Sequence, residues 1–225
     1  MIRKLALVAG AAVLALSAQA ATVSYSFSNP FENTEIDQSG SLGLFDSSLG
    51  TLTGASLTVD AGIQGTITLT LGNSQTAASV RGTTTSEIGI NSTLAVIDAL
   101  FNGVADISLS YTTGFQTLTP NSSFTSPLLS DADSLTFSIA DLSTLSAAGG
   151  GSFSLSCDSL SGLGITGGAG FSGGSQTTQG RCGASITYTY DEAPPPPTNV
   201  PEPTSLALIG LALAGTAAAR RRKAR

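Results

Sequence analysis

The segment Gly65-Thr66-Ile67-Thr68-Leu69-Thr70-Leu71 shows the pattern that decides the fold. Aliphatic side chains alternate with threonines, so an extended chain places the aliphatic groups on one face and the hydroxyls on the other. A period of two residues is typical of a half-buried antiparallel strand. The segment therefore predicts a β-strand with one face on a hydrophobic core and the other in water.

The same alternation recurs along the chain. It is present in the segments 23–27, 55–59, 107–111, 135–139, 152–155 and 186–190. Seven or more such strands, separated by Gly and Asn turns, are typical of an all-β fold. We therefore predict one antiparallel β-sandwich, jelly-roll-like or Ig-like, over residues 21–190, with Gly/Ser/Thr-rich loops.

One apolar run departs from the alternation. Residues 94–101 read Leu-Ala-Val-Ile-Asp-Ala-Leu-Phe and follow Asn91-Ser92-Thr93. This order favours a short helix with a capped N-terminus that ends near Gly103. A buried strand fits the same run almost as well.

Charge is distributed unevenly along the chain. The 225 residues have a formal net charge of -6 and include no His. Within residues 21–200, Arg81 and Arg181 stand against 14 carboxylates, which gives this body a net charge of -12. Such a body repels the phosphate backbone of nucleic acids. Without His, a Ser-His-Asp triad and the usual zinc sites are excluded.

Residues 1–20 have the organisation of a secretory signal peptide. Arg3 and Lys4 precede an apolar run, and Ala18-Gln19-Ala20 supplies the small residues that signal peptidase requires. We expect cleavage between Ala20 and Ala21. The alternative is an uncleaved anchor, but the apolar run has about 12 residues, whereas about 20 are needed to span a bilayer.

The C-terminal end has three parts after a Pro-rich linker at residues 191–199. Residues 200–225 contain Val200-Pro201-Glu202-Pro203, the apolar segment Leu206–Ala219 and an Arg-rich tail. As a helix the apolar segment would be about 21 Å long, against about 30 Å for a bilayer core. This shortfall predicts transient anchoring in the inner membrane, with the cationic end in the cytoplasm.

These three parts, in this order, resemble the PEP-CTERM sorting signal of Gram-negative bacteria. The resemblance implies recognition of Val200, Pro201, Glu202 and Pro203 by exosortase, an integral-membrane cysteine transpeptidase, and removal of the tail. It also implies association with surface, exopolysaccharide and biofilm material. The alternative is a plain membrane anchor with an incidental Pro-Glu-Pro sequence.

The body shows a second resemblance. Residues 44–52, Leu-Phe-Asp-Ser-Ser-Leu-Gly-Thr-Leu, together with the strands at 57–59 and 65–70, are similar to bacterial choice-of-anchor E domains. Such domains carry interchangeable C-terminal surface anchors. The resemblance implies a surface domain and transfers no catalytic residue.

Cys157 and Cys182 are the two cysteines of the chain. Because the signal peptide directs them to an oxidising compartment, we predict that they form a structural disulfide closing a Gly-rich loop. Such a bridge contributes about 3 kcal/mol to stability in the chain-entropy model. A redox or metal-binding pair is the alternative, which the wide spacing and the missing His disfavour.

Two segments match motifs of catalytic or cofactor-binding sites, but the sequence lacks the other residues or elements that these sites require. Residues 170–174 match the G-x-S-x-G nucleophile elbow, but the body has neither His nor Lys to act as the base. Residues 162–167 match G-x-G-x-x-G, but more glycine follows where a dinucleotide site needs a helix. We interpret both matches as consequences of composition.

Asp131 and Asp133 are the candidate ligands for a metal ion. They lie two residues apart, so an extended chain directs both carboxylates to one side. Calcium prefers carboxylate and carbonyl oxygens and often ties the loops of secreted β-sandwiches, so calcium is the one possible cofactor. The alternative is that the acids close turns and keep the surface soluble.

The sequence thus predicts an exported, non-enzymatic protein of the cell surface or extracellular matrix. Its expected partners are signal peptidase and exosortase, with exopolysaccharide as a further candidate. The alternative is a secreted carbohydrate-binding or carbohydrate-active protein that uses carboxylates and calcium.

Overall fold

The computed structural model describes residues 20–73, 76–102, 107–167, 173–193 and 211–212. The chain divides into two compact units, residues 1–193 and 194–225. In the second unit, the described residues Leu211 and Ala212 are helical. The described elements of the first unit are β1 (Ala20–Ser28), β2 (Glu32–Asn33), β3 (Asp37–Asp46), β4 (Gly50–Thr70), β5 (Ala78–Ser92), α1 (Ala95–Phe101), β6 (Ile107–Thr112), β7 (Gln116–Leu118), β8 (Ser123–Thr125), β9 (Leu129–Ile139), β10 (Ser146–Ala147), β11 (Gly151–Gly167) and β12 (Gly173–Glu192).

The strand order makes this unit a jelly roll. One sheet has the order β1-β12-β4, with β8 and β9 both paired to β4, and the other has the order β10-β3-β11-β5, with β6 and β7 both paired to β5. The eight long strands form nested antiparallel pairs: β5 with β6, β4 with β9, β3 with β11, and β1 with β12. A long hairpin rolled into two sheets has jelly-roll connectivity. The predicted all-β sandwich is confirmed, and its topology is jelly-roll rather than Ig-like.

β4 is one continuous strand, although its sequence suggests two separate alternating segments. Its register with β12 continues through Gly62 and Gly65, with one bulge near its start. Gly65 is required there because a Cβ atom would collide with the Thr177 carbonyl oxygen and the Tyr111 hydroxyl. Close backbone approach is a common reason for glycine within a strand.

The core lies between the two sheets and is built from the inward residue of each alternating pair. Leu57 and Ile67 of β4 are fully buried, as are Leu42 of β3 and Leu155 of β11. Burial of such side chains contributes about 1.5–3 kcal/mol each. The period-two pattern therefore identifies the core correctly.

Tyr188 connects the two sheets through the core. Its ring is fully buried between Tyr25 and Phe45, and its hydroxyl donates a hydrogen bond of 2.9 Å to the Gly43 carbonyl oxygen. Burial raises the pKa of the Tyr188 phenol well above its usual value. The buried hydroxyl is thus satisfied, as an interior polar group must be.

The short helix predicted over residues 94–101 is present as α1. Its N-cap residue is Leu94, and no side chain caps it, so the predicted capping by Asn91-Ser92-Thr93 is wrong. Instead the Asp98 carboxylate accepts the N–H of Ser92 at 3.0 Å. Buried Ile97 attaches the helix to the core.

The Gly-rich segment between the cysteines is mostly strand, not the predicted loop. β11 continues to Gly167, and β12 begins at Gly173. Every residue of β11 from Leu155 to Gly167 has a partner in β5. Continuous pairing with a neighbouring strand therefore offsets the low strand propensity of glycine.

Candidate functional site

The start of β1 and the end of β12 lie side by side, at the same end of one sheet. Ala20, the residue before the predicted cleavage point, pairs with Asp191 near the end of β12, and Ala21 pairs with Tyr190. Just beyond β12, the N–H of Ala193 donates to the Leu49 carbonyl oxygen at 3.0 Å. Cleavage before Ala21 would remove only one residue of β1.

The two terminal signals themselves lie almost wholly outside the described residues. This applies to Ala18 of the predicted cleavage site, to the linker after Ala193 and to the sorting motif Val200–Pro203. The predicted anchor Leu206–Ala219 is described only at Leu211 and Ala212. No helix among the described residues is long and apolar enough to cross a membrane.

The predicted disulfide between Cys157 and Cys182 is present. Cys157 belongs to β11 and Cys182 to β12, so the bridge joins the two sheets through the core. Both residues are buried, and their Cα atoms are 6.5 Å apart. These features agree with a structural role, because reactive cysteines are usually partly exposed.

Asp131 and Asp133 lie on the same side of β9, as predicted for an extended segment. They are opposite Ile63 and Ala61, on the side of the strand that faces the core. Asp131 Oδ2 accepts the N–H of Ser110 in β6 at 2.8 Å, and so ties the edges of the two sheets together. Asp133 Oδ1 accepts the N–H of Ser134 at 2.7 Å.

Within the described ranges, no three His, Cys, Asp or Glu side chains are grouped to hold a metal ion. Calcium binding at Asp131 and Asp133 therefore stays a prediction from sequence. The G-x-G-x-x-G match at residues 162–167 lies inside β11 and is extended, so it does not form the strand–turn–helix of a dinucleotide site. In the G-x-S-x-G match, residues 170–172 lie outside the described residues.

The outer face of the β1-β12-β4-β9 sheet is covered by hydroxyl and amide side chains, and we call it the hydroxyl face. Facing side chains on neighbouring strands hydrogen-bond to one another across this surface. The pairs are Ser24–Thr187 at 2.8 Å, Thr58–Thr136 at 2.9 Å, Gln64–Gln179 at 3.0 Å, Thr66–Thr177 at 2.8 Å and Thr68–Thr125 at 2.9 Å. The array is polar and mostly uncharged.

A shallow cavity of about 320 Å³ interrupts the hydroxyl face. It is lined by Asp60, Ala61, Ala132, Asp133, Ser134 and Arg181. Arg181 Nη1 is 3.2 Å from Asp60 Oδ2, and the guanidinium lies over the Phe31 ring at 5.4 Å from its centroid. The cavity thus combines the Asp60 carboxylate, the Arg181 guanidinium and the Ser134 hydroxyl, which can hydrogen-bond a polar ligand.

Arg81 lies over a second phenylalanine, on the outer face of the other sheet. Its guanidinium is 5.0 Å from the centroid of Phe115, a ring that is 59% exposed. The buried Nε atom has no hydrogen-bond partner. Arg81 pairs with Thr166 near the end of β11, so it is at the end of the sandwich opposite the chain ends.

Sequence reasoning did not find these two arginine–phenylalanine contacts. Each joins residues that are distant in sequence, and only the folded sheets bring them together. The available signal was that Arg81 and Arg181 are the two cations of residues 21–200. Arginine is the side chain that most often lies over an aromatic ring in a cation–π contact.

Comparison with protein families identifies the C-terminal signal. Residues 199–223 match the PEP-CTERM protein-sorting motif, which confirms the motif predicted from Val200–Pro203. The motif implies an exported, envelope-associated protein that exosortase processes. It covers only this short segment, and the similarity of the body to choice-of-anchor E domains stays a prediction.

Comparison with curated proteins gave no match. Solved structures that cover most of the chain include one of Desmodium yellow mottle tymovirus, with 12% identity, 83% of this chain and 97% of that chain covered, and a TM-score of 0.20. Another is the empty head of turnip yellow mosaic virus, with 10% identity, coverages of 88% and 95%, and a TM-score of 0.18. The T13 IBDV viral particle has 13% identity, coverages of 87% and 46%, and a TM-score of 0.16. Scores this low support no inference about function.

Proposed function

We propose that this chain is a non-enzymatic protein of the bacterial cell surface or extracellular matrix, delivered there by exosortase and associated with exopolysaccharide or biofilm. The observation that carries the proposal is the match of residues 199–223 to the PEP-CTERM protein-sorting motif. After removal of the signal peptide, Leu206–Ala219 holds the precursor transiently in the inner membrane. Exosortase then cuts near Val200–Pro203 and releases the jelly-roll body.

The composition of the body supports a role without catalysis. Residues 21–200 contain neither His nor Lys, which removes the two most adaptable general bases. The cavity beside Arg181 is shallow, whereas catalytic sites are usually deeper clefts that exclude water. The hydroxyl face suits hydration and contact with a hydrated matrix.

The test compares the native protein with Glu202→Ala in the native host, with and without exosortase. We expect the native protein to begin at Ala21 and to lack Leu206–Arg225, and the variant to keep its tail in the inner-membrane fraction. Intact mass spectrometry and membrane fractionation provide the two measurements.

Glu192→Ala is the matched control, because it removes a carboxylate of the same type upstream of the motif. It should be processed like the native protein. Complete retention of the tail by the native protein in the presence of exosortase would contradict the proposal.

The cavity beside Arg181 favours a second candidate function, binding of a polysaccharide by the hydroxyl face. Asp60, Ser134 and Arg181 offer both hydrogen-bond donors and acceptors, which sugar hydroxyls require. Arg181→Gln should abolish binding on a glycan array, while Arg81→Gln, on the other sheet, should leave it intact. Equal effects of the two variants would reject the cavity as the site.

Calcium binding is part of the same candidate function, polysaccharide binding. Calcium bound by Asp131 and Asp133 would raise the melting temperature, and a chelator would reverse the rise. Asp131→Asn/Asp133→Asn should remove this response. The absence of a shift at millimolar calcium would rule out the metal.

A further inference from the structure

β1 is an open edge of the hydroxyl-face sheet. Its register with β12 continues into a hydrogen bond from the Asn29 N–H to the Cys182 carbonyl oxygen, at 3.0 Å. Because antiparallel bonding alternates along a strand, every second residue of β1 bonds β12, and the residues between direct their N–H and C=O groups away from it. The outward-directed residues are Thr22, Ser24, Ser26 and Ser28. Among the described residues, no second strand pairs with this side of β1.

The other three edges of the sandwich carry features that discourage further pairing. β9 has Asp131 and Asp133 on its core-facing side, and inward-pointing charge is a known protection of edge strands. The edge of β6 is engaged by β9, since Asp131 accepts the Ser110 N–H. β3 begins with Asp37, ends with Asp46, and is partly covered by β10.

β1 has none of these protections. Residues 20–28 read Ala-Ala-Thr-Val-Ser-Tyr-Ser-Phe-Ser, without charge and without proline. The strand alternates small hydroxyl residues with Val23, Tyr25 and Phe27, which pack against the core. A long edge strand without charged side chains or proline is a ready template for another strand.

We propose that β1 pairs antiparallel with β1 of a second copy of this chain. The strand is its own best partner, because pairing two copies places hydroxyl residues beside hydroxyl residues and apolar residues beside apolar ones. β1 also contains no carboxylate. Two bodies that each have a net charge of -12 can therefore pair through this strand without placing like charges directly opposite one another in the paired strands. The contact is symmetric, and it joins two six-stranded sheets, one from each copy, into one continuous sheet.

The product is a closed dimer rather than a fibre. A two-fold interface uses the same edge on both copies, so none remains for a third. The opposite edge of the sheet, β9, keeps its inward acids. In the dimer the two copies of β1 run in opposite directions, so the C-terminal ends of β12 in the two copies lie at opposite ends of the joined sheet.

The experiment measures the mass in solution of the mature protein recovered from the exporting host, by light scattering on a size-exclusion column. We expect the native protein at twice its monomer mass. Ser26→Lys places a charge on the open edge, and Ser26→Pro removes an N–H that faces it, so each should lower the mass about twofold.

Ser138→Lys is the matched control. Ser138 is exposed on the same sheet, but on β9, and the substitution changes the net charge by the same amount. This variant should remain dimeric. Circular dichroism and thermal unfolding measure whether each variant is folded. If the proline variant does not fold, Ser26→Lys alone tests the proposal. A native protein that is monomeric at its highest soluble concentration would overturn the proposal, as would a dimer that persists in a folded Ser26→Lys protein.

Discussion

Asp46 shows how a single carboxylate organises one end of the sandwich. Its Oδ1 accepts the N–H of Ser48 at 2.9 Å and the N–H of Gly149 at 3.0 Å, and so joins the β3–β4 turn to the loop before β11. Hydrogen bonds from Ser48, and then from Gly149, lower the pKa of the Asp46 carboxyl below its ordinary value. Asp46 thus closes a turn, as the side chains of Asp residues commonly do.

The lowered pKa of Asp46 predicts a pH-dependent contribution to stability. A carboxyl with a lower pKa in the folded state stabilises the fold above its unfolded pKa of about 3.9, and this contribution is lost as the pH falls through the folded-state pKa. Asp46→Asn should therefore reduce the free energy of unfolding near neutral pH and have little effect in acid. Urea denaturation between neutral pH and strong acid measures the difference. A difference that does not change with pH would show that the charge of Asp46 is irrelevant.

At the scale of elements, the sequence predicted strands where hydroxyl and apolar residues alternate, and it missed strands where glycine or short polar residues break the pattern. β6 and β9 follow the alternation, and both were predicted. β5 was not, since its inward positions include Gly82, Thr84 and Ser86, which are small or polar although buried. Their burial depends on neighbouring strands, which local periodicity cannot report.

The disulfide is the covalent link between elements of the two sheets. Replacing both cysteines, Cys157→Ala/Cys182→Ala, should lower the free energy of unfolding by about 3 kcal/mol, because the unfolded chain regains the entropy of an open loop. Guanidinium denaturation of the folded protein measures the loss. Reduction of the native protein should give a similar loss, whereas a reducing agent should not affect the double variant. An unchanged denaturation midpoint would show that sheet pairing alone fixes these strands.

At the scale of the whole molecule, the strand order could not be predicted, because nothing in a single sequence states which strands neighbour one another. The nested pairing places the first and last strands side by side and brings both chain ends to one end of the sheet. It also places Asp37 directly opposite Asp158, a like-charge pair between β3 and β11. The arrangement of charge therefore follows from topology, although the net charge follows from composition.

The acidic body predicts that salt stabilises the fold. Its net charge of -12 produces self-repulsion, which salt screens over a Debye length that falls from about 30 Å at 0.01 M to about 8 Å at 0.15 M. The melting temperature should rise over this range of sodium chloride. The rise should disappear in acid, where most carboxylates are protonated, and an uncharged osmolyte should not reproduce it at equal osmolarity. A melting temperature that falls with salt would contradict this view.

β12 also determines how the molecule responds to mechanical force. It carries the chain out of the sandwich while hydrogen-bonded to β1 on one side and β4 on the other. A pull on the C-terminal end acts along this central strand, so the bonds on both sides lie across the force and must break together. Cys182 within β12 is tied to β11, which prevents the strand from sliding beyond that residue. A body held by its C-terminal end thus resists shear as a unit instead of peeling away strand by strand.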